Sequence, residues 1–361
     1  MYAARGSAHL VVPVIALVAL AVLVCGGSAV ASSGAAPRTG HAVLAAANGT
    51  GRAATAKAAR PGWLPDVAAT VSAGNQPSGA AVDPQTNTVY VASYGTGVLV
   101  INGKTHAVIR TIPVRSPLAV AVDPLRDMIY VTSSEPDSLV AINGRTDAVT
   151  GSVLVGRIPG QVAVDSATNT IYVVNYLDST LSVIDGRTDS VTATITVGAT
   201  PTGVAVDQRT STVYVASNAT NELDVISGQT NTLTGIIPVG DGPYGVAVDD
   251  LTGTIYVTDS VDGNVLAING NSYAVTAVIP INTFWLSAAV EVNPKLDEVY
   301  VANLDGGSVT VISGRTNRVV GKIAVGAVPR AVAVNDVTGE TYVPSELANT
   351  LSVLSGPSLA G

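Results

Sequence analysis

The stretch Pro201–Gly228 reads PTGVAVDQRTSTVYVASNATNELDVISG, and it decides the fold of this 361-residue chain. Its three apolar runs are GVAVD, TVYVAS and ELDVIS. Each run is short, rich in β-branched residues and bounded by Gly, Pro, Asn, Asp or Ser, as β-strands are. The continuation Leu233–Gly240 (LTGIIPVG) has the same character. The stretch and its continuation therefore predict four consecutive strands joined by short turns.

This four-run unit recurs seven times. The tyrosine of each Tyr-Val pair follows the previous one after 40, 42, 42, 42, 44 and 42 residues. An Asp or Asn closes every first run, and a glycine follows every third run. The three markers stay in register at Tyr90, Tyr130, Tyr172, Tyr214, Tyr256, Tyr300 and Tyr342; at Asp83, Asp123, Asp165, Asp207, Asp249, Asn293 and Asn335; and at Gly103, Gly144, Gly186, Gly228, Gly270, Gly314 and Gly356. Four strands in a period near 42 residues are typical of a propeller blade.

The predicted fold is all-β, a seven-bladed β-propeller of four-stranded antiparallel blades. In the third copy the predicted strands span 161–165, 170–174, 180–184 and 190–197. Runs such as VAVD and IYVV are apolar almost throughout, because both faces of a blade pack against neighbouring blades. No segment after Gly62 keeps a helical period of 3.6 residues.

The two ends of the array predict how the ring closes. The seventh copy ends shortly after Leu351–Leu354, too early for a fourth strand. Upstream of the first copy, Asp66–Gly74 (DVAATVSAG) matches the fourth-strand pattern of Asp189–Gly198 (DSVTATITVG). We therefore expect the N-terminal strand to complete the last blade, which removes an open sheet edge.

The repeated Asp or Asn after the first strand has two interpretations. A side-chain oxygen there can accept hydrogen bonds from backbone N–H groups two residues on and shape the turn. Seven such side chains in register would also suit a ring of metal ligands. The turn role is the favoured interpretation.

These motifs resemble the YVTN repeat of β-propeller proteins. The resemblance rests on Pro201–Asp207, Tyr214-Val215, Leu223–Gly228 and Leu233–Gly240, and it extends over residues 66–356. The chain is similar to the YncE-like extracytoplasmic propellers, which implies an exported protein with a binding or scaffold role. Such folds host many functions, so the resemblance implies architecture more firmly than activity.

The N-terminal region predicts export. Residues 1–31 combine Arg5, an apolar run from Leu10 to Val24 and the small residues Ala29-Val30-Ala31, which indicates a signal peptide. An uncleaved anchor and a lipoprotein with Cys25 as its lipid site are the alternatives. Residues 32–65 are rich in Ala, Gly and Ser and predict a flexible linker before the propeller of 66–356; residues 357–361 form a tail.

Charge is distributed unevenly. Residues 1–62 carry five basic residues and no acid, whereas the remainder holds 13 basic and 26 acidic residues. An acidic body disfavours nucleic acid as a partner, because phosphate binding needs clustered Lys and Arg. Membrane contact is expected only through an uncleaved N-terminal segment.

Departures from the repeat indicate where a partner binds. We call "top face" the face carrying the turns between second and third strands and the connections between blades; the other face is the bottom face. Aromatic residues outside the repeated tyrosines concentrate on the top face at Tyr94, Tyr176, Tyr244, Phe284 and Trp285. Phe284 and Trp285 lie in Asn282–Ser287, where the 44-residue spacing adds two residues and Ser287 replaces the usual Pro. A contact surface and a cap over the seam between blades 5 and 6 both fit this pair.

Polar departures on the same face include Arg157, Gln161 and Arg330, which flank the start of innermost strands. Together they would suit a carboxylate or phosphate group held by forked hydrogen bonds. Ordinary solvated loop charge is the alternative interpretation.

The predicted function is a non-catalytic binding scaffold that acts as a monomer outside the cytoplasm through its top-face loops. Its partner would be a cell-envelope glycan, a small metabolite or another protein, and no cofactor is expected. The alternative is a metal-dependent hydrolase of the lactonase type, with a divalent metal at the channel mouth. Its candidate ligands are carboxylate or amide side chains from several blades: Glu135, Asn175, Asp178, Asp259, Asn303 and Glu346.

Overall fold

A computed structural model describes residues 64–281 and 287–356. The predicted signal peptide, nearly all of the predicted linker, Phe284, Trp285 and the tail 357–361 lie outside these ranges. The described residues form 28 strands in seven four-stranded antiparallel sheets. They contain no helix of the length and apolarity needed to span a membrane.

The first four blades take their strands in chain order from the inside outward. Blade 1 contains β2 (Pro77–Asp83), β3 (Thr88–Ser93), β4 (Gly97–Asn102) and β5 (Val108–Ile112). Blade 2 contains β6 (Pro117–Asp123), β7 (Met128–Ser134), β8 (Asp137–Asn143) and β9 (Ala148–Leu154). Blade 3 contains β10 (Pro159–Asp165), β11 (Thr170–Asn175), β12 (Thr180–Asp185) and β13 (Ser190–Thr196). Blade 4 contains β14 (Pro201–Asp207), β15 (Thr212–Ser217), β16 (Glu222–Ser227) and β17 (Thr232–Pro238).

Blades 5 and 6 repeat this order, and blade 7 differs. Blade 5 contains β18 (Pro243–Asp249), β19 (Thr254–Asp259), β20 (Asn264–Asn269) and β21 (Val275–Pro280). Blade 6 contains β22 (Ser287–Asn293), β23 (Glu298–Asn303), β24 (Ser308–Ser313) and β25 (Arg318–Ala324). Blade 7 combines β26 (Ala333–Val334), β27 (Thr341–Ser345) and β28 (Thr350–Leu354) with β1 (Val67–Ser72) from the N-terminal end.

The predicted ring closure is confirmed. β1 runs antiparallel to β28, with Val71 opposite Leu351 and Ser72 opposite Thr350. Leu64 packs into the apolar layer between blades 6 and 7, beside Gly321. The two ends of the propeller therefore share one sheet.

The core is a set of seven apolar layers, one at each seam between blades. The layer between blades 3 and 4, for example, joins Tyr172 and Leu181 to Val204, Val206 and Val213. The second and third strands are buried on both faces, as β11 and β12 are, which explains why these predicted strands are apolar without alternation. The fourth strands, such as β9 and β13, are largely exposed. Removing this area from water provides the main drive for folding.

The turn role of the repeated Asp or Asn is confirmed in all seven blades. Each side-chain oxygen accepts a hydrogen bond from the backbone N–H two residues on, as in Gln85 to Asp83 at 2.9 Å. The other six oxygens belong to Asp123, Asp165, Asp207, Asp249, Asn293 and Asn335. Each of these side chains is bonded within its own turn, and the described residues hold no group of three His, Cys, Asp or Glu side chains that could bind a metal ion.

Candidate functional site

A central channel of about 290 Å³ runs between the innermost strands. Its described lining consists mainly of Gly, Ala and Val, with the polar side chains Gln161, Tyr244 and Glu291. The innermost strand of each blade is a sheet edge. The N–H and C=O groups that it does not use to pair with the second strand therefore point into the channel. The channel wall is therefore mostly backbone, and these three side chains distinguish one part of it from another.

Two of the predicted top-face residues line this channel. Tyr244 is the second residue of β18, and Gln161 is the third residue of β10. Both strands begin at the top face, so both side chains lie in the half of the channel near that face. The second residue of the innermost strand is Ser78 in blade 1 and Gly160 in blade 3, where blade 5 has Tyr244. This position varies between blades, whereas the rest of the strand is nearly uniform.

The backbone around Tyr244 is held from both neighbouring strands. The Thr202 hydroxyl of blade 4 donates to the Tyr244 carbonyl at 2.9 Å. The N–H of Gly245 donates to the Thr258 hydroxyl at 2.8 Å. A Cβ atom at Gly203 would lie 2.5 Å from the Tyr244 carbonyl oxygen, so this close approach of two blades requires glycine.

The connection that leads to Tyr244 is equally well bonded. The Gly242 N–H donates to Asn221 Oδ1, and the Ser260 hydroxyl donates to the Gly242 carbonyl. Asn218 Nδ2 donates to the carbonyl of Pro243 at 3.1 Å. Tyr244 thus projects from a rigid connection, which keeps low the entropy cost of holding it for a ligand.

Arg157 is paired with a carboxylate of its own blade. Its Nε donates to Asp178 Oδ1 at 2.6 Å, and its backbone N–H donates to Asp178 Oδ2 at 2.7 Å. The backbone bond is the main cause, and the side-chain bond a further one, that holds the pKa of Asp178 below its usual range. The pair is exposed, since 67% of the Arg157 side chain is accessible.

Arg330 is paired in a different environment. Its Nε donates to Glu346 Oε2, and only 15% of the Arg330 side chain and 6% of the Glu346 side chain are exposed. The Arg330 N–H also donates to the carbonyl of Pro344 at 3.0 Å. Both guanidinium groups predicted to hold an anion therefore already have carboxylate partners within the chain, whereas Gln161 lines the channel.

Tyr94 and Tyr176 occupy equivalent positions in blades 1 and 3. Each begins the turn after the second strand. The Tyr94 N–H donates to the carbonyl of Gln76 and the Tyr176 N–H to the carbonyl of Ile158, both in the connection before the blade. Both side chains are half-buried. The top face therefore carries Tyr94, Tyr176 and Tyr244, while Phe284 and Trp285 belong to the region outside the described residues.

Five of the six residues of the alternative metal site are engaged separately. Asn175 is buried and its Nδ2 donates to Thr180 and Ser182. Asn303 makes the equivalent bonds to Ser308 and Thr310. Asp178 and Glu346 pair with arginines, as described above, and Asp259 Oδ1 accepts the N–H of Asp262. Within the described ranges no three His, Cys, Asp or Glu side chains lie where they could hold one metal ion, and the lactonase-type alternative is not favoured.

Sequence reasoning missed Glu291. This residue is fifth in β22 and lines the channel where the six other blades carry alanine. The signal was available as VEVN in place of VAVD. Burial deep in the ring is the main cause that raises the pKa of Glu291 to about 7, and the charge of Asp250 adds to it. Glu291 therefore titrates near neutral pH.

Comparison with known proteins supports the fold. No protein-family model matches the chain, and no curated protein matches it significantly. Among solved structures, a chain of hydrazine synthase from Kuenenia stuttgartiensis is similar, with a TM-score of 0.69 and 17% sequence identity. The match covers 79% of this chain and 96% of that chain. At this identity the likeness concerns the fold alone, and the fold itself is a seven-bladed β-propeller.

Proposed function

We propose that the protein is an exported, monomeric binding scaffold that engages its partner at the top face, around the mouth of the central channel. The observation that carries the proposal is the anchoring of Tyr244 beside the channel by bonds from blades 4 and 5. Rigid aromatic side chains supply contact area at low entropic cost, which is typical of binding surfaces.

The partner that fits this face best is a cell-envelope glycan. Sugar rings present C–H faces that pack on aromatic rings and hydroxyls that bond to amides, and the top face offers Tyr94, Tyr176, Tyr244 and Gln161. Arg157 remains accessible at the rim and adds a cation beside Asp178. Phe284 and Trp285 extend this surface if they serve as the contact pair that the sequence indicates. The YVTN resemblance is consistent with such a role outside the cytoplasm.

Cosedimentation with purified insoluble cell-wall glycan tests the proposal. The variant Gln161→Ala/Tyr244→Ala should lose at least about tenfold in affinity, because both side chains at the channel mouth are removed. Tyr273→Asn is the matched control, since Tyr273 is an exposed aromatic on the bottom face and Asn occupies the equivalent position as Asn231 and Asn317. This control should bind as the unmodified protein does.

Equal sedimentation of the double variant and the unmodified protein would contradict the assignment of the channel mouth. Failure of the unmodified protein to sediment would contradict a glycan partner. Titration with small metabolites and capture from an envelope extract then separate the other two partner classes.

A further inference from the structure

The fifth position of the innermost strands is glutamate in blade 6 and alanine in the other six blades. The set comprises Ala81, Ala121, Ala163, Ala205, Ala247, Glu291 and Ala333. Each member lies directly opposite the repeated tyrosine of the next strand, as Glu291 lies opposite Tyr300. A small residue suits a position beside a large ring, so glutamate here is a departure that the fold does not require.

Glu291 is the one charged side chain among the described residues that line the channel. Its Oε1 accepts the N–H of the adjacent Val292 at 3.2 Å. None of the ion pairs in the described ranges includes it. Among the described residues, Glu291 therefore lines the channel with one long backbone hydrogen bond and no basic side chain paired with it.

The elements packed around Glu291 do not neutralise it. β18 and its turn place Asp250 near it, a like charge. On β23, the Tyr300 hydroxyl donates instead to Glu298 at 2.6 Å. β26 contributes Ala333 and Val334, which carry no titratable group. A carboxylate withdrawn from bulk water among such neighbours is stabilised by a cation that enters the cavity.

We infer that the central channel binds a small organic cation, with the ammonium group of a primary amine at Glu291. An ammonium group has three N–H donors, which the carboxylate and the backbone carbonyls of the channel wall can accept. A divalent metal ion needs several oxygen side-chain ligands, and the described residues offer no such group here. The volume of about 290 Å³ admits a small molecule only.

This site is independent of the top-face partner. Glu291 is two residues from the bottom end of β22, whereas Tyr244 and Gln161 lie near the top ends of their strands. The cation site can therefore be tested independently of the glycan proposal.

Calorimetric titration of the full chain with propylammonium chloride at pH 8 tests the inference. Saturable binding is expected, and Glu291→Gln should weaken it at least about tenfold, because the shape is kept while the charge is lost. Glu291→Ala restores the residue of the other six blades, so it should fold and also fail to bind. Asp305→Asn removes one exposed carboxylate from the top face and is the matched charge control.

Two further measurements sharpen the test. The affinity of the unmodified protein should fall about tenfold per pH unit below pH 7, since protons compete for the same carboxylate. Calcium chloride should not displace propylammonium at equal ionic strength. Absence of saturable binding, equal binding by Glu291→Gln, or displacement by calcium would overturn the inference.

Discussion

The hydroxyl of Tyr130 in blade 2 reaches the backbone of Gly186 in blade 3. A Cβ atom at Gly186 would lie 2.8 Å from that hydroxyl oxygen, closer than packed atoms allow. Likewise, a Cβ atom at Gly228 would lie 2.7 Å from the Tyr172 hydroxyl oxygen. At these two seams the tyrosine of one blade and the glycine of the next therefore lie against each other, and the glycine also lies against the first turn of its own blade, as Gly186 does against Asn169.

Substituting Gly186 should therefore destabilise the protein. In Gly186→Ala the new methyl group meets the Tyr130 hydroxyl, Asn169 Oδ1 and Ile171 Cδ1 at 2.5–2.8 Å. We expect a loss of about 1–3 kcal/mol in the free energy of unfolding, measured by denaturant titration. Gly235→Ala is the control, because its nearest neighbour is 3.8 Å away and no loss is expected. Equal stability of the two variants would exclude the seam contact as the reason for glycine.

The repeated tyrosines should differ in what their hydroxyl groups contribute. The Tyr300 hydroxyl donates to the buried Glu298 at 2.6 Å, so Tyr300→Phe leaves a carboxylate without its donor. A loss of about 1–3 kcal/mol is expected. The Tyr130 hydroxyl is buried without a hydrogen-bond partner in the described ranges, so Tyr130→Phe should leave stability unchanged or slightly higher. Thermal unfolding of the two variants measures this difference. Similar losses of stability in both would contradict the hydrogen bond to Glu298.

Two ion pairs should differ sharply in strength. Arg330→Met leaves Glu346 nearly buried and unpaired, and a loss of about 3–5 kcal/mol is expected. Arg145→Met breaks the pair with Asp127, in which 82% of the Arg145 side chain is exposed, and should cost less than about 1 kcal/mol. Chemical denaturation measures both, and a small loss at Arg330 would show that its pair is not shielded from solvent.

Ring closure should account for much of the thermal stability. Deleting Asp66–Gly74 removes β1 and leaves β28 as the open outer edge of blade 7. A fall of the melting temperature by roughly 10 °C is expected, since several kcal/mol of packing and pairing are lost. Differential scanning calorimetry measures this midpoint, and an unchanged value would reject the closure.

Stability should depend on pH through Glu291. The pKa of this carboxyl is raised from 4.5 to about 7, so the folded state binds its proton more tightly than the unfolded state does. The resulting stabilisation is complete below pH 4.5 and is lost as the pH rises through 7. Between pH 5 and pH 8 the unmodified protein should lose about 1–3 kcal/mol more than Glu291→Gln, the lower value applying if channel water screens the charge. Parallel pH profiles of the two proteins would contradict the shift.

The channel and its neighbours show where sequence reasoning reached its limit. Gln161 and Tyr244 depart from the repeat, and both lie in the channel wall. Arg157 and Arg330 depart from it as well, yet each is paired with a carboxylate of its own blade. The repeat shows where in the unit a departing residue lies. It does not show which side chain of another loop lies close enough to pair with that residue.

The amino-acid sequence alone determined the number of blades, the strand order, the turn residues and the closing strand. These properties are local, because hairpins, side-chain turns and apolar strands depend on residues close together in the chain and on their repetition. Tertiary structure alone decided that Tyr130 meets Gly186, that Arg330 is shielded with Glu346, and that Glu291 lines the channel with no basic partner among the described residues. Such contacts depend on how separate sheets stack around a common axis, and this geometry arises only when all seven blades are packed together.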